Sequence, residues 1–144
     1  MHFWDRHKTI TAYYESLTKS LCDKYQLTQM EYDTLMFLSN NPQFNTAADI
    51  VKVRKSTKSH VSVSLKALEN KGLIEKKQNA ANKKCVEIFL LDKAREIVEE
   101  GVQVQRQFMK NMFQGLTEEE MIIWKTLFNK ICNNAEECLK DKKE

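Results

Sequence analysis

Between Asn45 and Leu91 the apolar residues change their period, and this switch limits the chain to very few architectures. Ala47, Ile50 and Val51 recur at helical spacing, and after a short polar break Val61, Leu65 and Leu68 do so again. The first of these segments reads as a helix from Thr46 to Val53. Ser56 or Thr57 is suited to cap the second, and Gly72 stands where a helix end favours a left-handed residue. Beyond it the period shortens to two: Val86, Ile88 and Leu90 alternate with Cys85, Glu87 and Phe89. Short strands are expected over Glu75–Gln78 and Cys85–Leu91, joined by the polar tip NAANKK. The order is helix, turn, helix, hairpin.

The rest of the chain is expected to be helical. Its 144 residues include only three Gly and one Pro, so turn signals are scarce. Phe3, Ile10, Tyr13, Tyr14, Leu17, Leu21 and Tyr25 define an amphipathic helix over 3–25. Thr28 and Glu31 form a capping box opening a second helix, which Asn40-Asn41-Pro42 ends. A long helix from Asp92 carries Ala94, Ile97, Val98, Val102, Phe108, Met109, Met112 and Phe113 up to Gly115. Thr117 opens the last helix, with Glu118, Glu119 and Glu120 favouring the positive end of its dipole. Met121, Trp124, Phe128, Ile131, Ala135 and Cys138 form its apolar stripe, and the KDKKE tail is expected to fray. The first helix and the last two are too long and apolar to pack only on a small lobe. A second copy of the same helices is the simplest partner, giving a C2 dimer.

Charge is concentrated on the helix-turn-helix stretch. Lys52–Lys84 contains ten Lys or Arg and two acids, a net +8 where the whole chain carries +3. A basic helix-turn-helix with a basic hairpin is the signature of duplex DNA binding. On a wheel of the second helix, Val61, Leu65 and Leu68 face inward. Ser59, Val63, Lys66 and Asn70 face outward, flanked by His60 and Ser62. Hydroxyls, an imidazole, an aliphatic group and an ammonium suit a major groove, where Val63 matches a thymine methyl and Lys66 a guanine acceptor or a phosphate. Arg54, Lys55 and Lys58 suit phosphates, and Lys83 and Lys84 would follow the neighbouring groove. The expected contact set is Arg54, Lys55, Ser56, Thr57, Lys58, Ser59, His60, Ser62, Val63 and Lys66, with Lys83 and Lys84 from the tip.

Other classes find little support. No apolar run approaches the ~20 residues that span a bilayer, and MHFWDRHK lacks the basic-then-apolar order of a secretion leader. Cys22, Cys85, Cys132 and Cys138 form no CxxC pair, so reduced thiols in a cytoplasmic protein are expected. Cys22 is expected to be a buried structural thiol, although Lys19 and Lys24 are neighbours able to lower its pKa. His2, His7 and His60 are too dispersed for a metal site. No glycine-rich phosphate loop, nucleophile elbow or HExxH is present, so neither catalysis nor a cofactor is expected.

SLKALENKGLIEK, at the end of the second helix and the start of the hairpin, resembles the MarR-type winged helix-turn-helix regulators. The likeness extends over the whole chain, through LTQMEYDTLMFL and the terminal helices. It implies a mostly α fold with a small β-hairpin wing, in which long N- and C-terminal helices make a homodimer. Residues 1–26 and 92–144 would form the dimerisation region and 27–91 the DNA-binding lobe. It further implies a roughly palindromic operator, repression of nearby genes, and release by a small phenolic or anionic effector or a stress signal. Departures stand out at the reading positions. Val63 follows His60-Val61-Ser62 where the family often has Arg, and Asn82-Lys83-Lys84 replaces the usual Asp-x-Arg of the wing. LLDKA stands where the family has LTxxG. A lysine is a point charge where arginine is a fork, so wing contacts and sequence preference would differ from the family's. The resemblance places a ligand pocket where the dimerisation helices meet the DNA-binding lobe, with Trp4, His7, Tyr13 and Tyr14 as candidates to line it. Plain dimer core is the favoured reading of these aromatics. The competing function is a winged-helix protein–protein adaptor whose basic surface meets acidic partners.

Overall fold

The computed structural model describes residues 1–143. Six helices and one antiparallel hairpin occur among them, in the order α1 (Phe3–Tyr25), α2 (Gln29–Asn40), α3 (Ala47–Arg54), α4 (Lys58–Asn70), β1 (Ile74–Gln78), β2 (Val86–Leu90), α5 (Arg95–Met112) and α6 (Glu118–Lys143). Chain contacts divide the protein into two compact units, 1–108 and 109–144. Their boundary lies near the end of α5. Among the described residues, no helix is long and apolar enough to cross a membrane.

The local signals act as their chemistry requires. The Thr28 hydroxyl accepts from the Glu31 amide at 3.1 Å, and the Glu31 carboxylate accepts from the Thr28 amide at 3.1 Å. Of the two candidates for the α4 cap it is Thr57 that acts, accepting from the His60 amide at 3.2 Å. At the other end of α4, Gly72 takes φ +73°. The Gly72 amide donates to the Glu69 carbonyl and the Leu73 amide to that of Leu68, both at 3.0 Å. This double bond satisfies carbonyls that a helix end leaves open.

The core of the first unit surrounds α2. Tyr32 and Leu35 are wholly buried, and Met36 and Leu38 nearly so. Leu21 and Cys22 of α1, Ile50 of α3, Val61, Leu65 and Leu68 of α4, Ile74 and Ile88 of the hairpin, and Ala94 and Ile97 join the cluster, with Leu27, Phe37 and Leu73. Truncating a side chain as enclosed as Leu68 would cost about 2–5 kcal/mol, the transfer loss plus the cavity. Gly101 of α5 lies so close to α2 that a Cβ there would meet Met36 Sδ at 2.5 Å.

Several expectations need correction. Ala47 is exposed, so α3 turns only Ile50 fully inward and Val51 partly. The helix expected from Asp92 starts as a 3-10 turn over Asp92–Ala94 and becomes α-helical at Arg95. Cys85 lies outside β2, and Val86 is exposed although Ile88, on the same face, is buried. Thr117 and Glu120 make a second full capping box, at 3.0 and 3.1 Å, which adds hydrogen bonds to the dipole effect read from the sequence. The tail expected to fray continues α6 through Lys143; Glu144 lies outside the described residues.

Within the second unit, Met121 is half-buried and the rest of the α6 stripe faces solvent in the single chain. Ile122, Ile123, Trp124, Leu127, Phe128, Ile131 and Leu139 are exposed. Trp124 stacks on Phe128 at 5.2 Å and meets Phe113 edge-on at 4.8 Å.

Candidate nucleic-acid interface

The turn between α3 and α4 is three residues, Lys55–Thr57. Lys55 adopts a left-handed conformation with φ 55°, which stops α3, and its ammonium reaches the Lys52 carbonyl at 3.0 Å. The Ser56 amide donates to the Val51 carbonyl at 3.2 Å. Thr57 is extended and launches α4. The turn therefore sets the angle of α4 through backbone bonds rather than through a glycine.

Along α4 the burial follows the helical period. Val61, Ser64, Leu65 and Leu68 are buried, while Lys58, Ser59, His60, Ser62, Val63 and Lys66 are exposed. The contrast of two valines two positions apart is sharp: Val61 is 1% exposed and Val63 is 69% exposed. An aliphatic side chain in the middle of a hydrophilic helix face is suited to contact a methyl group or another apolar edge.

Four of the ten positive charges meet acids: Arg54 with Asp33 at 3.7 Å, Lys71 with Glu31 at 2.7 Å, Lys76 with Glu69 at 3.7 Å and Lys77 with Glu75 at 3.1 Å. Lys71 also donates to the Gln26 carbonyl at 2.6 Å, joining the end of α4 to the α1–α2 corner. Lys58, Lys66, Lys83 and Lys84 form no ion pair among the described residues. Unpaired charge therefore collects on the α4 face and at the hairpin tip, where a polyanion would meet it. Arg54, expected among the phosphate contacts, instead has its guanidinium turned toward α2. Asp33 beside it also accepts from Gln29 Nε2 at 3.0 Å. Burial pushes the Asp33 carboxyl above its usual value, and the Gln29 bond and Arg54 offset this only in part.

The hairpin pairs Ile74 with Leu90 through Gln78 with Val86. Its tip is built from asparagines. Asn79 Oδ1 accepts from the amides of Ala81 at 2.8 Å and Asn82 at 3.1 Å, and Asn82 Oδ1 accepts from the Lys84 amide at 3.1 Å. The Asn79 amide donates to the Cys85 carbonyl at 2.8 Å, closing the loop. Asn82, where the family's wing has an acid, thus shapes the turn that carries Lys83 and Lys84. Glu87 lies behind the tip, its two oxygens accepting from Asn79 Nδ2 at 2.6 Å and Asn45 Nδ2 at 3.1 Å. Sequence reading missed Asn45, Asn79 and Glu87 because their partnership spans 42 residues and follows no periodic pattern.

The four aromatics expected to line a pocket fall into two groups. Trp4 is 72% exposed and gathers with Phe3 and His7 at the start of α1. Tyr13 and Tyr14, about 14 Å further along at 1.5 Å per residue, pack on Phe108 with ring centroids 5.9 and 5.2 Å away. Burial, with Asp33 nearby, raises the Tyr14 phenol pKa. An open groove of about 390 Å³ lies further along α1, lined by Ser20, Leu21, Lys24, Glu100, Gln103 and Val104. It includes none of the four. Cys22 is buried, and its thiol pKa is raised by that burial and by Asp33, Asp23 and Glu31. Lys19 and Lys24 do not counter this, because they pair with Asp23 at 3.1 Å and Glu100 at 2.7 Å.

A three-helix lobe whose third helix presents an exposed face, followed by a basic hairpin, defines the winged helix-turn-helix class. The sequence pattern of the MarR family matches residues 25–84, from the end of α1 to the tip of the wing. That segment matches the MarR family, and the chain as a whole has the fold of its members. A MarR-family transcriptional regulator from Listeria monocytogenes, solved with a 26-mer DNA, has a TM-score of 0.86 at 23% identity, covering 100% of this chain and 96% of its own. MepR of S. aureus, in a DNA complex, has a TM-score of 0.81 at 22% identity, covering 93% and 96%. The regulator SlyA has a TM-score of 0.82 at 20% identity, covering 95% and 96%. No curated protein matches the sequence.

Proposed function

We propose that this protein is a sequence-specific, duplex-DNA-binding regulator of transcription that acts as a homodimer. The observation that carries the reading is the exposed face of α4. Ser59, His60, Ser62, Val63 and Lys66 project from a helix whose opposite side is sealed in the core, and Lys83 and Lys84 extend the positive surface at the wing. That the Listeria protein was solved with a 26-mer DNA and MepR in a DNA complex supports DNA binding by this fold. Residues 27–91 serve as the reading lobe, and residues 1–26 and 92–144 as the dimerisation region. The exposed apolar residues of α6, and separately Phe3, Trp4 and Ile10 of α1, are what a second copy would cover.

In this mechanism each recognition helix enters a major groove, the two half-sites lying ~34 Å or one helical turn apart. Ser59, His60, Ser62, Val63 and Lys66 meet base edges, and Lys55, Ser56, Thr57 and Lys58 meet phosphates. Arg54 joins the phosphate set if it leaves Asp33. The protein works in the cytoplasm as a repressor of nearby genes. A phenolic or anionic effector, or a stress signal, releases it by favouring a dimer with another half-site spacing. Such an effector shifts operator affinity only by its differential affinity for the two states.

The test is selection from random duplexes followed by anisotropy titration over a salt series. The expected result is an enriched palindrome with half-sites one turn apart and affinity that falls steeply with salt. No enrichment and no affinity for duplexes at low salt would overturn the reading in favour of a protein–protein adaptor. A monomer at micromolar concentration would remove the dimer.

A further inference from the structure

Resting on the DNA-binding reading, we propose that the Glu87 carboxylate is the positioning group of the wing, a clasp that holds the hairpin tip against the loop before α3. Three observations meet at this side chain. One oxygen accepts from Asn79 Nδ2 at 2.6 Å and the other from Asn45 Nδ2 at 3.1 Å. The Ile88 amide, next along β2, donates to the Asn45 carbonyl at 2.8 Å, so the loop before α3 already lies along the free edge of the hairpin. Glu87, Asn79 and Asn45 are all half-buried, which strengthens a charge-assisted bond relative to one in open water.

The direction of the Asn79 amide is not free. Its oxygen is engaged by the Ala81 and Asn82 amides, so only its NH2 can face residue 87. Residue 87 must therefore offer an acceptor there. The same asparagine whose oxygen folds the tip is anchored through its nitrogen, and the anchor leads to the helix-turn-helix. Through this path Lys83 and Lys84 are held in fixed relation to α3 and α4. Without it the part of the wing beyond Ile88 is a two-stranded ribbon with no further anchor, and such ribbons are marginal in water.

The clasp opposes simple electrostatics, and this makes it testable. Removing a negative charge beside bound DNA should tighten binding. If the carboxylate positions the wing, Glu87→Ala should do the reverse, because the two lysines lose their fixed station. Its salt slope should become shallower by up to about 3.6, from ~0.9 per phosphate contact for two lysines in each of two protomers. Glu87→Gln should bind as tightly as the wild type or tighter, with an unchanged slope. Its oxygen still accepts from Asn79, and its NH2 is satisfied when the Asn45 amide turns over. Asn45→Ala, which leaves the Asn79 bond intact, should fall between the wild type and Glu87→Ala.

The experiment is anisotropy titration of the full-length variants on the selected duplex from 50 to 300 mM salt. Amide hydrogen exchange at Ala81, Asn82 and Lys84 is measured on the same proteins without DNA. Faster exchange at these three amides in Glu87→Ala, but not in Glu87→Gln, is expected, with core amides such as Leu35 unchanged. Identical behaviour of the two Glu87 variants, in binding and in exchange, would overturn the proposal. If the wild type binds no duplex the DNA reading fails by itself, and exchange alone then decides whether Glu87 holds the wing.

Discussion

Replacing Gly101 with alanine sets two effects of known size against each other. In an exposed helix interior, Gly→Ala stabilises by about 1 kcal/mol, because alanine restricts the unfolded backbone. Here the added methyl would stand 2.5 Å from Met36 Sδ, 2.9 Å from Met36 Cε and 2.9 Å from the Tyr32 hydroxyl. Ordinary contact for such atoms is about 3.5–4.0 Å, so Met36 must move by roughly 1 Å. It has little room, being 2% exposed, and Tyr32 is fully enclosed. Overpacking of this kind costs about 1–3 kcal/mol. With two rigidly held neighbours the upper end applies, and the variant should be less stable by about 2 kcal/mol after the helix gain is subtracted. Urea unfolding at fixed protein concentration would read this as a lower midpoint with an unchanged slope. Pairing the change with Met36→Ala should recover part of the loss, since the two sites share one space. A midpoint equal to or above that of the wild type would refute the close approach of α5 to α2.

Three further outcomes are expected. Lys66→Ala should weaken specific more than non-specific DNA binding, whereas Lys83→Ala combined with Lys84→Ala should weaken both and flatten the salt slope; equal losses would refute this sorting of base and phosphate contacts. Thr57→Ala removes the acceptor for the His60 amide, so the protein should lose about 1 kcal/mol of stability, with amide exchange rising first at the start of α4. Asp33 has a raised carboxyl pKa in the folded protein, chiefly from burial. The native state therefore holds the proton more tightly than the unfolded chain, and stability falls as pH rises from the unfolded carboxylate pKa through the folded one. Asp33→Asn should gain stability relative to the wild type over that window and show no gain below it. A relative loss with rising pH would mean that the Arg54 pair outweighs burial.

The helices and their ends were legible because their determinants are local. Thr28 and Glu31, Thr57 and His60, and Gly72 act across a few residues, and the spacing of Val61, Leu65 and Leu68 assigns the buried side of α4 without knowledge of what covers it. The outward set of Ser59, Val63 and Lys66 followed as its complement. The basic stretch was equally plain, since charge can be counted. Its distribution was not. Which lysines are neutralised depends on acids brought near by folding, as Glu31 is to Lys71 across 40 residues.

Tertiary structure alone decided the rest. Arg54 turns to Asp33 because folding brings the end of α3 near α2, and nothing within α3 announces it. Cys22 has two lysines near it in sequence, yet its thiol is made less acidic by burial and by the acids packed round it. The wing tip reads as a loose polar loop, but Asn79, Glu87 and Asn45 join it to the segment before α3. Periodicity and capping chemistry lie within one or two turns of chain, so the sequence determined the elements and their faces. Long-range hydrogen bonds and desolvation arise only where elements meet, so the pairing of charges, the state of the thiol and the anchoring of the wing waited on the fold.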